Sequence, residues 1–183
     1  MNRLRATLTA VVSGLALTGA ALPPVQAAAL TVVAVGASNT SGWGVSEAAA
    51  YPARLEALLR ARGLDVQVVN AGRPFDTTAG MLGRLDAAVP AGTRLVVLQP
   101  GANDLRFFGT RERRTANIEA MVARLAERGI RAIVYDPAFP RESYQWDGIH
   151  ITREGHARIA EELAPLVSEA LTPPAKKRAP ARR

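Results

Sequence analysis

Four short apolar, β-branched runs recur along the chain without regular polar alternation: Leu30-Thr31-Val32-Val33-Ala34-Val35-Gly36, Val66-Gln67-Val68-Val69-Asn70, Leu95-Val96-Val97-Leu98-Gln99 and Ala132-Ile133-Val134-Tyr135-Asp136. Runs of this length and character are expected of strands buried on both faces, as in a parallel sheet. Between them apolar positions fall at helical spacing. From Pro52 to Arg62, Leu55, Leu58 and Leu59 share one face, Pro52 suits the first turn and Gly63 supplies the stop. Ile118, Met121, Val122 and Leu125, closed by Gly129, repeat the pattern. A shorter helix is predicted from Thr78 to Val89 through Met81, Leu82 and Leu85. The last runs from Thr152 as N-cap through Ile159, Leu163, Leu166 and Val167, with Pro165 a candidate kink. Strands alternating with such helices imply right-handed crossovers, hence a three-layer α/β domain with a parallel sheet of about four main strands.

In such sheets the carboxyl ends of the strands form the functional rim. The residues following the four runs are Ala37-Ser38-Asn39, Ala71-Gly72-Arg73, Pro100-Gly101-Ala102-Asn103-Asp104 and Pro137 with its loop. A further polar cluster, Asp147-Gly148-Ile149-His150, lies just before the last helix.

The two ends read differently from the body. Arg3 and Arg5, an apolar stretch from Ala6 to Leu22 and the small residues up to Ala27 follow the order of a signal peptide, cleaved after Ala27. The apolar run is shorter than the ~20 residues that cross a bilayer comfortably and is broken by Ser13, Gly14, Thr18 and Gly19. Residues 28–172 then form one domain, exported to the periplasm or secreted, with no stable membrane insertion. The formal charge of +7 suggests a nucleic-acid or membrane binder until its location is considered. Between Ala28 and Ala175 there are 16 Lys or Arg and 16 Asp or Glu, so the body is balanced and nucleic acid is not expected as a partner. The excess sits in a Pro/Ala-rich tail, residues 173–183, expected to be disordered and to contact anionic surfaces weakly. Without cysteine, thiol catalysis and thiolate metal sites are excluded.

Hydrolysis by a serine needs a freed hydroxyl, a base, a group orienting that base, and donors for the oxyanion. Ser38 after the first strand is the candidate nucleophile, its own N–H able to face the same space as its hydroxyl. A three-residue separation in a turn brings the Asp147 carboxylate beneath the His150 imidazole, which fixes the tautomer and stabilises the imidazolium. His156, the other histidine, falls within the last helix and reads as a packed or exposed helical residue. The Asn103 amide and the Gly72 N–H are candidate oxyanion donors on the same rim. Singly, each of these residues reads as a turn former or cap; jointly they read as a site.

In order, Val35-Gly36-Ala37-Ser38-Asn39-Thr40, Val69-Asn70-Ala71-Gly72, Gly101-Ala102-Asn103-Asp104 and Asp147-Gly148-Ile149-His150 resemble the four signature blocks of the SGNH (GDSL-like) hydrolases. The four letters fall on Ser38, Gly72, Asn103 and His150. The spacing and the Gly-Ala-Asn-Asp-Leu-Arg run look most like the branch of bacterial acyl-CoA thioesterase I, arylesterases and lysophospholipases. The resemblance implies a flavodoxin-like sheet and hydrolysis of small-molecule esters or thioesters through an acyl-serine, without metal or other cofactor. In that scheme Ser38 attacks, His150 is base and then acid, Asp147 orients it, and Ser38 N–H, Gly72 N–H and Asn103 hold the oxyanion. Two departures stand out. Ala37 replaces the family's usual Asp before the nucleophile, and the span from Asp104 to Asp147 holds only one helix and one strand, a compact far edge that favours small or varied acyl groups. Deacetylation of polysaccharide or peptidoglycan, and a catalytically silent binding module, are the alternative functions.

Overall fold

The computed structural model describes residues 28–106 and 109–172; the expected signal peptide and basic tail lie outside them. Strand β1 (Leu30–Gly36) leads into a single helical turn, α1 (Ser38–Ser41), and then α2 (Tyr51–Ala61). Strand β2 (Val66–Gly72) is followed by α3 (Thr78–Gly83) and α4 (Leu85–Ala88), and β3 (Thr93–Gln99) by the short α5 (Asn103–Arg106) and the long α6 (Arg111–Glu127). Strand β4 (Arg131–Val134), a 3-10 turn at Arg141–Ser143 and α7 (Arg153–Leu171) complete the order. The sheet has four strands in the order β2-β1-β3-β4, and all pairings are parallel. This is the expected three-layer α/β fold.

The β1 side chains show why the runs lack polar alternation. Val32 and Ala34 face one way, against Tyr51, Leu55 and Leu59 of α2 and Ile159, Leu163 and Val167 of α7. Val33 and Val35 face the other, against Met81, Leu85, Met121 and Leu125 of the opposite helical layer. A strand covered on both faces has no position for a polar side chain. Leu55, Leu59, Ile159 and Leu163 are fully buried, and each contributes about 2 kcal/mol through the apolar surface it removes from water.

Three boundaries differ from the sequence pattern. The predicted helix from Thr78 to Val89 breaks at Arg84, whose guanidinium turns inward to Asp76 Oδ2 at 2.7 Å and the Gly36 carbonyl at 3.1 Å. Strand β2 continues to Gly72, which pairs with Gly36, so Gly72 ends the strand instead of following it. Strand β4 is short; Tyr135 N–H donates one further bond to Leu98 O at 2.8 Å before Pro137. Helix α7 has the expected Thr152 cap, its hydroxyl accepting from Gly155 N–H at 3.1 Å, and runs as one helix through Pro165.

Candidate active site

Strand β1 is central, with β2 on one side and β3 on the other, so the strand order reverses between β1 and β3. Crevices open at such reversals, beyond the carboxyl ends of the strands. Here a cavity of about 280 Å³ is lined by Ala37, Ser38, Asn39, Gly101 and Asn103, among others. Ser38 is the first residue of α1, where a backbone N–H has no intrahelical acceptor. Gly42, in the left-handed region at φ 86°, closes the turn with a bond to Ser38 O. The turn is held from below: Thr40 Oγ1 donates to Gln99 Oε1 at 2.7 Å and lies 3.2 Å from the Tyr51 hydroxyl. Thr40 and Tyr51 are fully buried, and burial pushes the Tyr51 phenol far above its usual range.

Asp147 and His150 form a tight unit. Asp147 Oδ2 meets His150 Nδ1 at 2.6 Å, while Oδ1 accepts from the backbone N–H groups of Ile149 at 2.9 Å and His150 at 3.0 Å. These bonds, the His150 backbone N–H foremost, hold the Asp147 carboxyl at about 2, well below the usual range. A carboxylate fixed on Nδ1 selects the tautomer that carries its proton there and leaves Nε2 as an acceptor. The Trp43 ring stacks on the imidazole, with centroids 5.6 Å apart and planes at 24°. Phe75 meets Trp43 edge-on at 5.8 Å and has a left-handed backbone, φ 63°.

What joins this unit to Ser38 is the next residue. Asn39 Nδ2 donates to Ile149 O at 3.2 Å, and Asn39 Oδ1 accepts from Ile151 N–H at 3.0 Å. One amide therefore spans both peptide groups flanking His150. From the far side, Gln145 N–H donates to His150 O at 2.7 Å, and Gln145 Nε2 reaches Trp43 O and Ile151 O, both at 2.9 Å. Among the described residues no hydrogen bond joins Ser38 Oγ to His150, so the expected contact between candidate nucleophile and candidate base is not made in this conformation.

The expected oxyanion donors are partly engaged. Gly72 N–H donates to Asn70 Oδ1 at 3.0 Å, and Asn103 Nδ2 donates to Asp76 O at 2.8 Å. The Asn103 amide carries two N–H bonds, and the bond to Asp76 orients the group while leaving the second available. Its neighbour Asp104 is buried and anchored, accepting from Thr78 N–H at 2.9 Å and the Thr78 hydroxyl at 2.5 Å. Gly72 is required by close approach: a Cβ there would lie 2.2 Å from Ser41 N. Ala37 is buried, packed with the apolar cluster that includes Met81 of α3 and Met121 of α6, and also lines the cavity.

Sequence reasoning did not single out Asn39, Asp76 or Arg84, because their partners are backbone groups or side chains brought in from other elements. Nor did it identify Trp43, Phe75 or the arginines Arg106, Arg111 and Arg114 at the cavity. His156 is a packed helical residue, fully buried, its Nδ1 accepting from Tyr51 N–H at 3.2 Å and its Nε2 without a partner. Burial, with a smaller contribution from Arg54, lowers it to about 4.

Comparison with known proteins agrees with the fold. The chain is 36% identical over 107 residues to Esterase TesA of Pseudomonas aeruginosa, a match covering 56% of this chain and 50% of that relative. The chain thus aligns with about half the length of that relative. Among solved structures, a crystal structure of TesA superposes with a TM-score of 0.71 at 23% identity, covering 77% of this chain and 99% of the other. A lipase/acylhydrolase from Enterococcus faecalis superposes at 0.68 and 22% identity, covering 79% and 98%. AlinE4, described as an SGNH-hydrolase family esterase, superposes at 0.60 and 22%, covering 81% and 100%. The GDSL-like Lipase/Acylhydrolase family model matches residues 34–171, which takes in the carboxyl end of β1, the other three strands, Ser38 and the Asp147–His150 unit; the chain belongs to that family.

Proposed function

We infer that the chain is an exported serine esterase or thioesterase, hydrolysing carboxylic ester or thioester bonds through an acyl-Ser38 intermediate. The observation that carries this reading is the 2.6 Å contact between Asp147 Oδ2 and His150 Nδ1, on a loop that Asn39 ties to the Ser38 turn. Tautomer and orientation are set before substrate arrives. His150 Nε2 takes the Ser38 proton as Oγ attacks the carbonyl, and the charge on the former carbonyl oxygen is met by Ser38 N–H and the second Asn103 N–H. Gly72 N–H joins them on exchanging Asn70 Oδ1 for the oxyanion. Collapse breaks the bond to the leaving group, which departs with the proton from His150; water then attacks the acyl-serine by the same route and restores Ser38. The short β4 edge and the modest cavity favour small acyl groups. The charged start, apolar run and Ala27 site support export, and among the described residues no helix is long and apolar enough to cross a membrane.

A second reading, O-acetyl ester hydrolysis on polysaccharide or peptidoglycan, is favoured by exposed aromatic rings: Trp43, stacked on His150, Phe75, which meets Trp43 edge-on, and the almost fully exposed Trp146 beside Asp147 in the chain. Such faces stack on sugar rings. Hydrolysis of 4-nitrophenyl esters from acetyl to palmitoyl, beside a Ser38→Ala variant, tests the main reading. Turnover confined to the wild-type protein and concentrated on short acyl chains is expected. Equal rates in both proteins, or none in either across esters and thioesters, leave a binding module instead.

A further inference from the structure

The cavity beside Ser38 carries more positive charge than the fold uses. Three arginines line it, Arg106, Arg111 and Arg114. Arg114 is committed: its guanidinium meets Asp136 Oδ2 at 2.7 Å and the Gly101 carbonyl at 3.0 and 2.9 Å. Asp136 is the one carboxylate in the lining, so that pair is neutral. Arg106 and Arg111 have no such partner. Among the described residues, neither guanidinium comes within 4.0 Å of a carboxylate. Glu112 follows Arg111 in the chain and attracts it, but Glu112 is exposed, lies outside the cavity lining and forms no ion pair with Arg111. The cavity therefore presents two cations without an ion-pair partner, one at the end of α5 and one in the first turn of α6, in the same space as Ser38 and Asn103.

Their position selects a part of the substrate. The departing alcohol or thiol must lie against His150, which protonates it, and His150 is not among the residues lining this cavity. The cavity instead adjoins Asn103, which faces the carbonyl oxygen, and so receives the acyl side. Resting on the esterase reading, we propose that the preferred substrates carry an anionic group, a carboxylate or its equivalent, on the acyl portion, held by Arg106 and Arg111. Arginine presents a planar fork that binds a carboxylate through two parallel bonds.

The test compares 4-nitrophenyl hydrogen adipate, whose acyl chain ends in a carboxylate, with neutral 4-nitrophenyl hexanoate. Both are assayed at low ionic strength on the full chain, with Ser38→Ala as background. The expected kcat/KM ratio favours the adipate by about tenfold or more and shrinks with added salt. In an Arg106→Gln/Arg111→Gln double variant the ratio falls to near one while hexanoate turnover, which reports folding, persists. Arg94→Gln, at the opposite end of β3, keeps the wild-type ratio. Equal or greater kcat/KM for hexanoate in the wild-type protein overturns the proposal, as does a preference that survives in the double variant. Hexanoate turnover without preference removes the anion proposal alone. Absence of Ser38-dependent turnover on both esters removes the esterase reading and the proposal with it.

Discussion

Asn39 grips the chain on both sides of His150, accepting from Ile151 N–H and donating to Ile149 O, across more than a hundred residues of sequence. The residue beside the proposed nucleophile thereby sets the position of the proposed base. Each such bond is worth about 1 kcal/mol net, so Asn39→Ala loosens the His150 loop by up to about 2 kcal/mol. The expected result is a kcat lowered roughly ten- to thirtyfold with KM nearly unchanged, because the lost contacts touch the base and not the substrate. Steady-state kinetics on 4-nitrophenyl acetate, with a thermal melt to verify folding, provide the check.

Asp147→Asn retains the shape of the turn but replaces the carboxylate on His150 Nδ1 with an amide. An amide whose N–H faces the ring favours the tautomer with the proton on Nε2, which cannot accept from Ser38. A fall in kcat of about 10³- to 10⁴-fold is expected, by analogy with the same change in other serine hydrolases. A loss under tenfold would show that another group orients His150.

Gly72→Ala forces a methyl group to within 2.2 Å of Ser41 N, a backbone atom of the turn that begins with Ser38. Either α1 or the end of β2 must move, so both the melting temperature and the activity fall. A drop of several degrees in Tm together with turnover near background is the expected outcome. Wild-type activity in this variant would place the Ser38 turn farther from β2.

His156 makes stability depend on pH. Its folded value of about 4 lies below the ordinary 6.5, so the unfolded chain binds the proton more tightly. The stabilising difference is fully present above about pH 6.5 and is lost as pH falls toward 4, a change of up to about 3 kcal/mol for a shift of this size. Denaturant melts between pH 7 and 4 should show this decline, and His156→Asn, which retains an acceptor for Tyr51 N–H, should flatten it. The Asp147 carboxyl, held at about 2, contributes separately at lower pH, its stabilisation fading between about pH 4 and 2.

Much of this architecture is written in local pattern. Val32 to Val35 read as a doubly buried strand because both faces of β1 are covered, and Asp147 reads with His150 because a turn of that length brings them together. Less legible were contacts whose partners are peptide groups. Asn39 resembles any helix-start residue until Ile149 and Ile151 are placed beside it, and the Asn70 side chain on Gly72 N–H leaves no mark in composition. Arg84 looks compatible with a continuous helix; its inward turn depends on Asp76 and the Gly36 carbonyl, which only the folded sheet brings near. The cavity arginines read as ordinary surface charge, since pairing in space decides which of them remains without an ion-pair partner.

The docking of α7 on α2 ties activity to the completeness of the fold. Ser38 follows the first strand, whereas His150 precedes the last helix, and that helix is seated on α2 through Ile159, Leu163 and the bond from Tyr51 to His156. A chain with its sheet formed but its final helix adrift possesses the hydroxyl without the base. Under the proposed roles, hydrolysis needs both the formed sheet and the seated final helix, so regained activity on refolding reports that both are in place.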